Sequence, residues 1–181
     1  ASTQLCVHSS DGVAFLADIG FRRVVLAREL SEKEIERITA KSPIETEVFC
    51  HGAMCMAYSG QCYMSAIVGE RSGNRGRCAQ PCRLPYGNGY ELSLKDMSLL
   101  RYVDRLEQMG VASLKIEGRM KGAEYVGAVT RAYADAKRGK RFEKRDEEYL
   151  AGIFSRDGFS DGYFTGKIGE KMFGVRGLTT N

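Results

Sequence analysis

Strand and helix patterns alternate along most of this chain, and that alternation limits the possible folds more than any other feature. Apolar runs of strand length are followed by segments whose apolar residues recur at helical spacing. The predicted strands span residues 2–7, 23–27, 45–50, 90–94 and 112–116. The predicted helices span residues 11–19, 98–109 and 123–138, with further helices after Ser31 and Asp146. Repeated βα units predict an α/β fold with a parallel sheet.

Local signals mark the ends of two of these helices. Gly20 follows the first helix as a C-terminal stop. Ser31 and Glu34 have the spacing of a capping box, and Pro43 follows the end of the same helix. The first two βα units are therefore well delimited.

The parallel sheet is either open or part of a TIM-type (β/α)8 barrel. No predicted strand is followed by G-x-G-x-x-G or G-x-x-x-x-G-K-[ST], which disfavours a nucleotide-binding open sheet. We therefore expect part of a barrel, with about three of its eight strands lying before this sequence. Unpaired edge strands seek partners, so the fragment is expected to self-associate.

Residues 51–86 interrupt the alternation with Gly, Cys, Asn, Arg and Pro. A loop of that length usually has a function or a ligand that orders it. It contains four of the six cysteines, whereas Cys6 and Cys50 lie in apolar runs and are predicted to be small core residues. Cysteines distributed in this way fit a reducing compartment, so a cytoplasmic location is expected.

The four loop cysteines have the spacing C-x6-C-x15-C-x3-C, formed by Cys55, Cys62, Cys78 and Cys82. Four thiolates are the full ligand set of a [4Fe-4S] cluster, which tolerates wide and irregular spacing. Structural zinc usually takes closer cysteine pairs, and only Cys78 and Cys82 approach that spacing. A cluster is the leading interpretation, while zinc, two disulfides and four buried thiols remain open.

Polar residues follow several predicted strands at their C-terminal ends, where a barrel binds its substrate. They would face one mouth together with Cys55, although each alone is equally a surface or ion-paired residue. Arginine at such a position suits a carboxylate or phosphate, because its guanidinium binds in a bidentate way. The candidates are His8, Arg28, Glu29, His51, Asp96, Glu117 and Arg119.

Three segments resemble the U32 peptidase family. The first, residues 47–65, is similar to the family signature, and residues 74–83 and 115–121 also resemble family motifs. The resemblance runs from residue 2 to about residue 166. The residues that match the signature are Glu47, Phe49, Gly52, Cys55, Gly60, Cys62 and Ser65.

The resemblance implies a longer protein. Residues 1–166 are expected to be the C-terminal part of a barrel domain, and residues 167–181 a tail that leads to a further region. It also implies an oxygen-independent hydroxylase that carries a [4Fe-4S] cluster, modifies a base in tRNA or rRNA, and takes an oxygen atom from prephenate. Glu117, Arg119 and His51 would then line the substrate pocket.

Two other functions compete with this interpretation. A metal-dependent, collagenase-like peptidase is the runner-up, although only His8 and His51 are present and neither H-E-x-x-H nor G-x-S-x-G occurs. A non-catalytic module whose cysteines staple the loop is the third. No apolar run approaches the roughly 18 residues of a membrane span, so no membrane is expected. The net charge of +4 is too mild to indicate a nucleic-acid surface by itself.

Overall fold

A computed structural model describes residues 1–175 and places five strands in one mixed sheet. The strands are β1 (Arg23–Val25), β2 (Glu45–Gly52), β3 (Asp96–Ser98), β4 (Ser113–Ile116) and β5 (Phe159–Ser160). The α-helices are α1 (Ser10–Asp18), α2 (Glu32–Lys41), α3 (Met64–Gly69), α4 (Val103–Gln108), α5 (Ala123–Lys137), α6 (Lys144–Ile153) and α7 (Gly162–Thr165). Short 3-10 turns cover Thr3–Leu5, Pro81–Arg83, Leu100–Tyr102 and Glu170–Met172.

Strand β2 organises the sheet because it pairs with three other strands. It runs parallel to β1 and to β4, and β3 pairs antiparallel with its last residues. β5 then pairs parallel with β3. The α/β prediction is confirmed. The all-parallel sheet is wrong at β3, because the chain returns along the end of β2 in the opposite direction, and the sheet is not closed over the described residues.

The predicted helical faces build the core around β2. Val48, Phe49 and Cys50 are all buried, as expected for a strand covered on both faces. The capping box of α2 is confirmed, since Ser31 Oγ donates to Glu34 Oε2 at 2.6 Å and Ser31 N donates to the same oxygen at 2.8 Å. No helix within residues 1–175 is both long and apolar enough to cross a membrane.

The first predicted strand, residues 2–7, is wrong. Ser2 Oγ accepts from Gln4 N at 3.3 Å, and Cys6 adopts a left-handed conformation with φ of 49°, so the chain turns instead of extending. Only the ends of the segment bond to the β1 region, where Val25 N donates to Ala1 O and Ala27 N donates to Val7 O. The apolar pattern located the segment but not its conformation.

The predicted strand at residues 90–94 is also wrong. Within this segment, Leu94 makes only an isolated β-bridge to Phe173. The actual strand, β3, begins two residues later at Asp96. Tail residues occupy the backbone groups nearby, since Gly174 N donates to Ser93 O at 2.9 Å and Lys95 N donates to Met172 O at 2.8 Å. The predicted helix at 98–109 is shorter and consists of a 3-10 turn followed by α4.

The segment between β2 and β3, residues 53–95, is named the Cys loop. The predicted interruption at 51–86 is only partly irregular, because β2 continues to Gly52 and the loop contains α3 and the Pro81–Arg83 turn. In the tail, residues up to Gly174 pack beside Ser93, and residues 176–181 lie outside the described part. The boundary at residue 166 stays a prediction.

Gly52 is expected to be essential for joining β2 to the loop after β4. Its φ is +109°, and a Cβ at this position would lie 2.6 Å from Glu117 O. Gly52→Ala should therefore lower the free energy of unfolding in urea by about 2–5 kcal/mol. Gly20→Ala is the matched control, because Gly20 has a φ of +94° and nothing within 4 Å of its added Cβ. Equal losses in the two variants would show that the contact with Glu117 is unimportant.

Candidate metal centre

The C-terminal ends of β2 and β4 place Glu117 beside the start of the Cys loop. Glu117 N donates to His51 O at 2.8 Å, and Tyr125 OH donates to Glu117 O at 3.1 Å. The Glu117 carboxylate lies 3.9 Å from a guanidinium nitrogen of Arg28, which follows β1. Three neighbouring parallel strands thus bring polar residues to one edge of the sheet, as the sequence predicted for Arg28 and Glu117.

The Cys loop brings its four cysteines into one region as free thiols. Cys55, Cys62 and Cys78 reach solvent, and Cys82 is half-buried. Partial desolvation raises the pKa of Cys55, and the nearby Cys82 and Cys78 raise it further, whereas Arg28 lowers it. Desolvation likewise raises the pKa of Cys82, with further contributions from Cys78 and Cys62. Cys55 and Cys82 each lie within electrostatic range of Cys78, and Cys82 also lies within range of Cys62.

These thiols do not converge on a single point. Over residues 1–175, no three His, Cys, Asp or Glu side chains are grouped closely enough to hold one metal ion. Gly73 lies between two of the cysteine positions, since a Cβ on it would be 3.8 Å from Cys78 Cβ and 3.9 Å from Cys62 O. Gln80 N donates to Cys78 Sγ at 3.3 Å. The arrangement is a spread set of sulfur donors around a glycine-rich turn.

Two arginines hold the start of the Cys loop, Arg28 from the chain after β1 and Arg83 from within the loop itself. Arg28 donates to Ala53 O at 3.1 Å and stacks on the Phe49 ring, with its guanidinium carbon 3.9 Å from the ring centroid. Arg83 donates to Met54 O and Leu94 O, and burial lowers its pKa while Cys82 and Cys55 act in the opposite direction. Both cations therefore lie near the thiol of Cys55.

A buried ion pair supports the other end of the loop. Arg156 binds both carboxylate oxygens of Asp96, one through its guanidinium and one through its backbone N–H. Its other guanidinium nitrogen donates to Gln80 Oε1 at 3.1 Å. Asp96 is the first residue of β3 and not a residue beyond a strand end. Sequence reasoning missed Arg156, which lies in an ordinary loop after α6 without any local motif.

Arg119 contacts the Cys loop directly. Its Nη2 donates to Gly76 O at 2.9 Å, between Cys62 and Cys78 in the sequence.

Cys6 also anchors the loop, because its thiol donates to Ser59 O at 2.8 Å. Cys6 is half-buried, so the core prediction holds for Cys50 alone. Burial raises the pKa of Cys50 to about 12, which keeps that thiol protonated and inert.

His51 is not at an open surface. It lies within β2 and is 1% exposed, with the rings of Tyr125, Tyr133 and Phe159 around it. Its Nε2 has no hydrogen-bond partner, and burial lowers its pKa to about 4. The other histidine, His8, is exposed and bonds to Cys6 O through Nδ1 at 2.7 Å. The catalytic roles of His51, Glu117 and Arg119 stay predictions.

The sequence profile described as "Peptidase family U32" matches residues 1–173. The chain belongs to peptidase family U32. The match covers all five strands, the Cys loop and the residues that contact it. The U32 resemblance of the sequence is thereby confirmed.

Relatives of this U32 member carry two kinds of name. It is 44% identical over 144 residues to the "23S rRNA 5-hydroxycytidine C2501 synthase" of Escherichia coli, a match that covers 74% of this chain and 22% of the relative. It is 41% identical over 149 residues to the "tRNA hydroxylation protein P1" of Bacillus subtilis, covering 73% and 35%. It is 36% identical over 204 aligned positions to a "Collagenase" of Porphyromonas gingivalis, covering 93% and 48%.

The chain spans less than half the length of each of these relatives, with shares of 22%, 35% and 48%. No solved structure matches it. The substrates and partners of a whole U32 protein are therefore proposals for this chain.

The buried His51 should make the stability of this U32 chain depend on pH. In the unfolded chain its pKa is near the ordinary 6.5, whereas in the folded state it is about 4, so the unfolded state binds more protons between these values. The free energy of unfolding should fall as the pH decreases from 6.5 to 4, by about 3 kcal/mol in total. Urea titrations at several pH values measure this loss.

His51→Leu should flatten the pH dependence in that window. His8→Gln is the control, because it removes the other histidine, which is exposed and lies outside the buried rings around His51. If His51→Leu keeps the full slope, the acid sensitivity arises from carboxylates instead.

The hydrogen bond from Arg119 to Gly76 should restrain the Cys loop. Arg119→Ala removes one hydrogen bond worth about 0.5–1.5 kcal/mol, so trypsin should cut the loop about 2–10 times faster. Exposed cleavage sites at Arg71, Arg75 and Arg77 report the opening. Arg131→Ala, at an exposed position of α5, is the control and should leave the cleavage rate unchanged. Equal rates in both variants would contradict this restraint.

Proposed function

We propose that this U32 member is part of an iron-sulfur-dependent hydroxylase that modifies a base in tRNA or rRNA. The observation that carries the proposal is the set of four free thiols in one region, with Arg28 and Arg83 beside Cys55. Two relatives, at 44% and 41% identity, are named for RNA hydroxylation. The chemistry of the site and the names of these relatives point in the same direction.

The donor set fits a [4Fe-4S] cluster in kind and in charge. In such a cluster each thiolate binds a different iron, so the sulfurs need not meet at one point. Cys62 and Cys78 lie beside Gly73, and the charges of Cys78 and Cys82 act on Cys55. Arg83 bonds to carbonyl and hydroxyl oxygens of the protein, so its positive charge is left to balance an anionic group.

When bound, the cluster would supply one-electron redox chemistry to a reaction that places a hydroxyl group on a base ring. Prephenate is proposed as the source of the oxygen atom. In this chain, Arg119 and Gln80 hold the thiol-bearing turns, and Glu117 lies next to Arg28 at the same edge of the sheet. Glu117 and Arg119 are proposed to belong to the substrate pocket. His51, predicted together with them, is 1% exposed and is proposed to support this edge through its backbone carbonyl, which accepts from Glu117 N.

We also infer the fold of the whole protein, the association state of this piece and its cellular location. The parallel pairing of β1 and β4 with β2 and the partial coverage of the relatives support a contribution to a (β/α)8 barrel in the whole protein. Unpaired strand edges support self-association of the isolated piece. Six free cysteines support a reducing, cytoplasmic environment.

A collagenase-like peptidase is the second candidate because the relative named "Collagenase" matches 93% of this chain. His51 is buried, so it is poorly placed to bind a metal ion that activates water.

Nucleoside mass spectrometry of tRNA and rRNA from a deletion strain separates the candidates. A missing hydroxylated nucleoside supports the hydroxylase, whereas an unchanged RNA together with loss of collagen cleavage supports the peptidase.

The cluster ligands can be tested by replacement. Anaerobically purified whole protein should contain about four iron atoms and labile sulfide. Cys55→Ala or Cys62→Ala should reduce both nearly to zero, because a thiolate ligand is lost. Cys50→Ala and Cys6→Ala are the controls and should keep the iron, since one thiol is buried in β2 and the other bonds to Ser59 O. Iron that persists in the Cys55 and Cys62 variants would end the cluster proposal.

A further inference from the structure

The Cys loop holds most of the net positive charge of the chain. Five basic residues and two acidic residues give the loop a net +3, out of +4 for the whole chain. The basic residues are Arg71, Arg75, Arg77, Arg83 and Lys95, and the acidic residues are Glu70 and Glu91. Three of the arginines lie within residues 71–77, a segment without a carboxylate that we call the basic turn. All three are exposed to solvent.

Hydrogen bonds close the basic turn on itself. Arg71 Nε donates to Arg77 O at 2.9 Å, and Arg77 N donates to Ser72 O at 3.0 Å. The buried Ser65 of α3 holds both ends of the segment, because its carbonyl accepts from Arg71 N at 3.1 Å and its hydroxyl accepts from Ala79 N at 2.9 Å. The arginines are therefore presented from a backbone that is fixed to α3.

Arg119 adds a fourth guanidinium to this surface. Its Nη2 donates to Gly76 O at 2.9 Å, and a Cβ on Gly76 would lie 3.3 Å from its Nη1. Arg119 also belongs, with Glu117, to the proposed substrate pocket, so it connects the basic turn to that pocket. Cys62 and Cys78 flank the turn in the sequence, which brings the positive charge close to the proposed cluster.

The four arginines have no carboxylate partners. Within residues 1–175, no Asp or Glu side chain forms an ion pair with any of them. The basic run at residues 137–145 is different, because acidic neighbours neutralise it. Lys144 pairs with Glu148 at 3.3 Å, and Arg145 pairs with Glu143 at 3.2 Å. The densest basic run in the sequence is therefore not the surface with the most unpaired charge.

Unpaired arginines on one surface favour an anionic partner. A guanidinium binds a phosphate through two parallel hydrogen bonds and stays charged at any physiological pH. Several guanidiniums side by side suit a chain of phosphates, because each phosphate that they neutralise releases a counterion from the nucleic acid. A small anion would use only one or two of them. The charge pattern of the basic turn therefore matches a nucleic-acid backbone.

We propose that the basic turn, together with Arg119, holds the phosphate backbone of the RNA substrate beside the proposed cluster. This inference rests on the proposed function, which supplies RNA as the substrate. The basic turn positions the strand, and the target base is selected by other groups of the site, because phosphate contacts carry no sequence information.

The test measures RNA binding and iron content in the same samples of anaerobically purified whole protein. The probe is a fluorescein-labelled single-stranded RNA, and fluorescence anisotropy gives its dissociation constant between about 50 and 200 mM salt. The test variant combines Arg75→Gln with Arg77→Gln. The hydrogen bonds of the turn use the backbone of Arg77 and not these two side chains, so the variant should keep the shape of the turn.

The test variant should bind the RNA about 25 times more weakly at about 0.1 M salt, since each phosphate contact contributes roughly a factor of five there. The dependence of log Kd on log salt should become shallower by about 1.4, which is about 0.7 for each lost contact. Replacing both arginines by lysine keeps the charge and should restore most of the affinity. Lys144→Gln combined with Arg145→Gln is the matched control, because it removes two exposed charges that are already ion-paired. It should bind like the wild type.

Two results would overturn the proposal. One is an equal loss of affinity in the test variant and the matched control, which would show that only the net charge matters. The other is unchanged RNA binding by the test variant, and a simultaneous loss of iron would then assign these arginines to the cluster alone. Nucleoside analysis tests the hydroxylase separately. RNA binding that needs the basic turn, in a protein without iron or hydroxylation, would keep the interface and remove only the reaction.

Discussion

The close approach of the β2 end to the loop after β4 is the contact on which the rest of the site depends. Gly52 leaves room for Glu117 O, and Glu117 N donates to His51 O at 2.8 Å. This contact joins the start of the Cys loop to the segment that carries Arg119. Arg119, two residues after Glu117, donates to Gly76 O and so supports the sulfur-bearing turn from a distant part of the chain.

Arginine side chains supply hydrogen bonds to carbonyl groups of the Cys loop that strand pairing would supply in a sheet. Arg28, Arg83 and Arg119 each donate to loop carbonyls, so irregular backbone is satisfied without a strand or a long helix. Arg156 differs from them because it has a buried carboxylate partner, Asp96. Arg28 acts to lower the pKa of Cys55 and Arg83 that of Cys82, but desolvation is the larger contribution and both pKa values are raised.

The sequence predicted features that depend on local signals and failed where distant residues decide. The capping box at Ser31 and the apolar run of β2 specify their elements by themselves. The turn at residues 2–7 depends on the left-handed Cys6, whose thiol bonds to Ser59 O 53 residues away. Arg156 had no local motif because its partner, Asp96, lies 60 residues away. The four cysteines are candidates from residue type and spacing alone, and their role as ligands stays a prediction.

Ordering of the Cys loop and binding of a metal group are expected to be thermodynamically linked. Beneath the loop, Tyr133 OH donates to Cys50 O at 2.6 Å, and Tyr133 is buried, so the end of β2 is tied to α5 without involving the loop. Above it, single hydrogen bonds such as that of Arg119 hold exposed turns. Because a ligand that binds only the ordered loop stabilises that state, cluster binding would contribute most of its energy to the turns around Gly73 and little to the sheet. Cys55, Cys62 and Cys78 are exposed, so the proposed cluster would bind at the surface turns while the buried end of β2 beneath them keeps its own contacts.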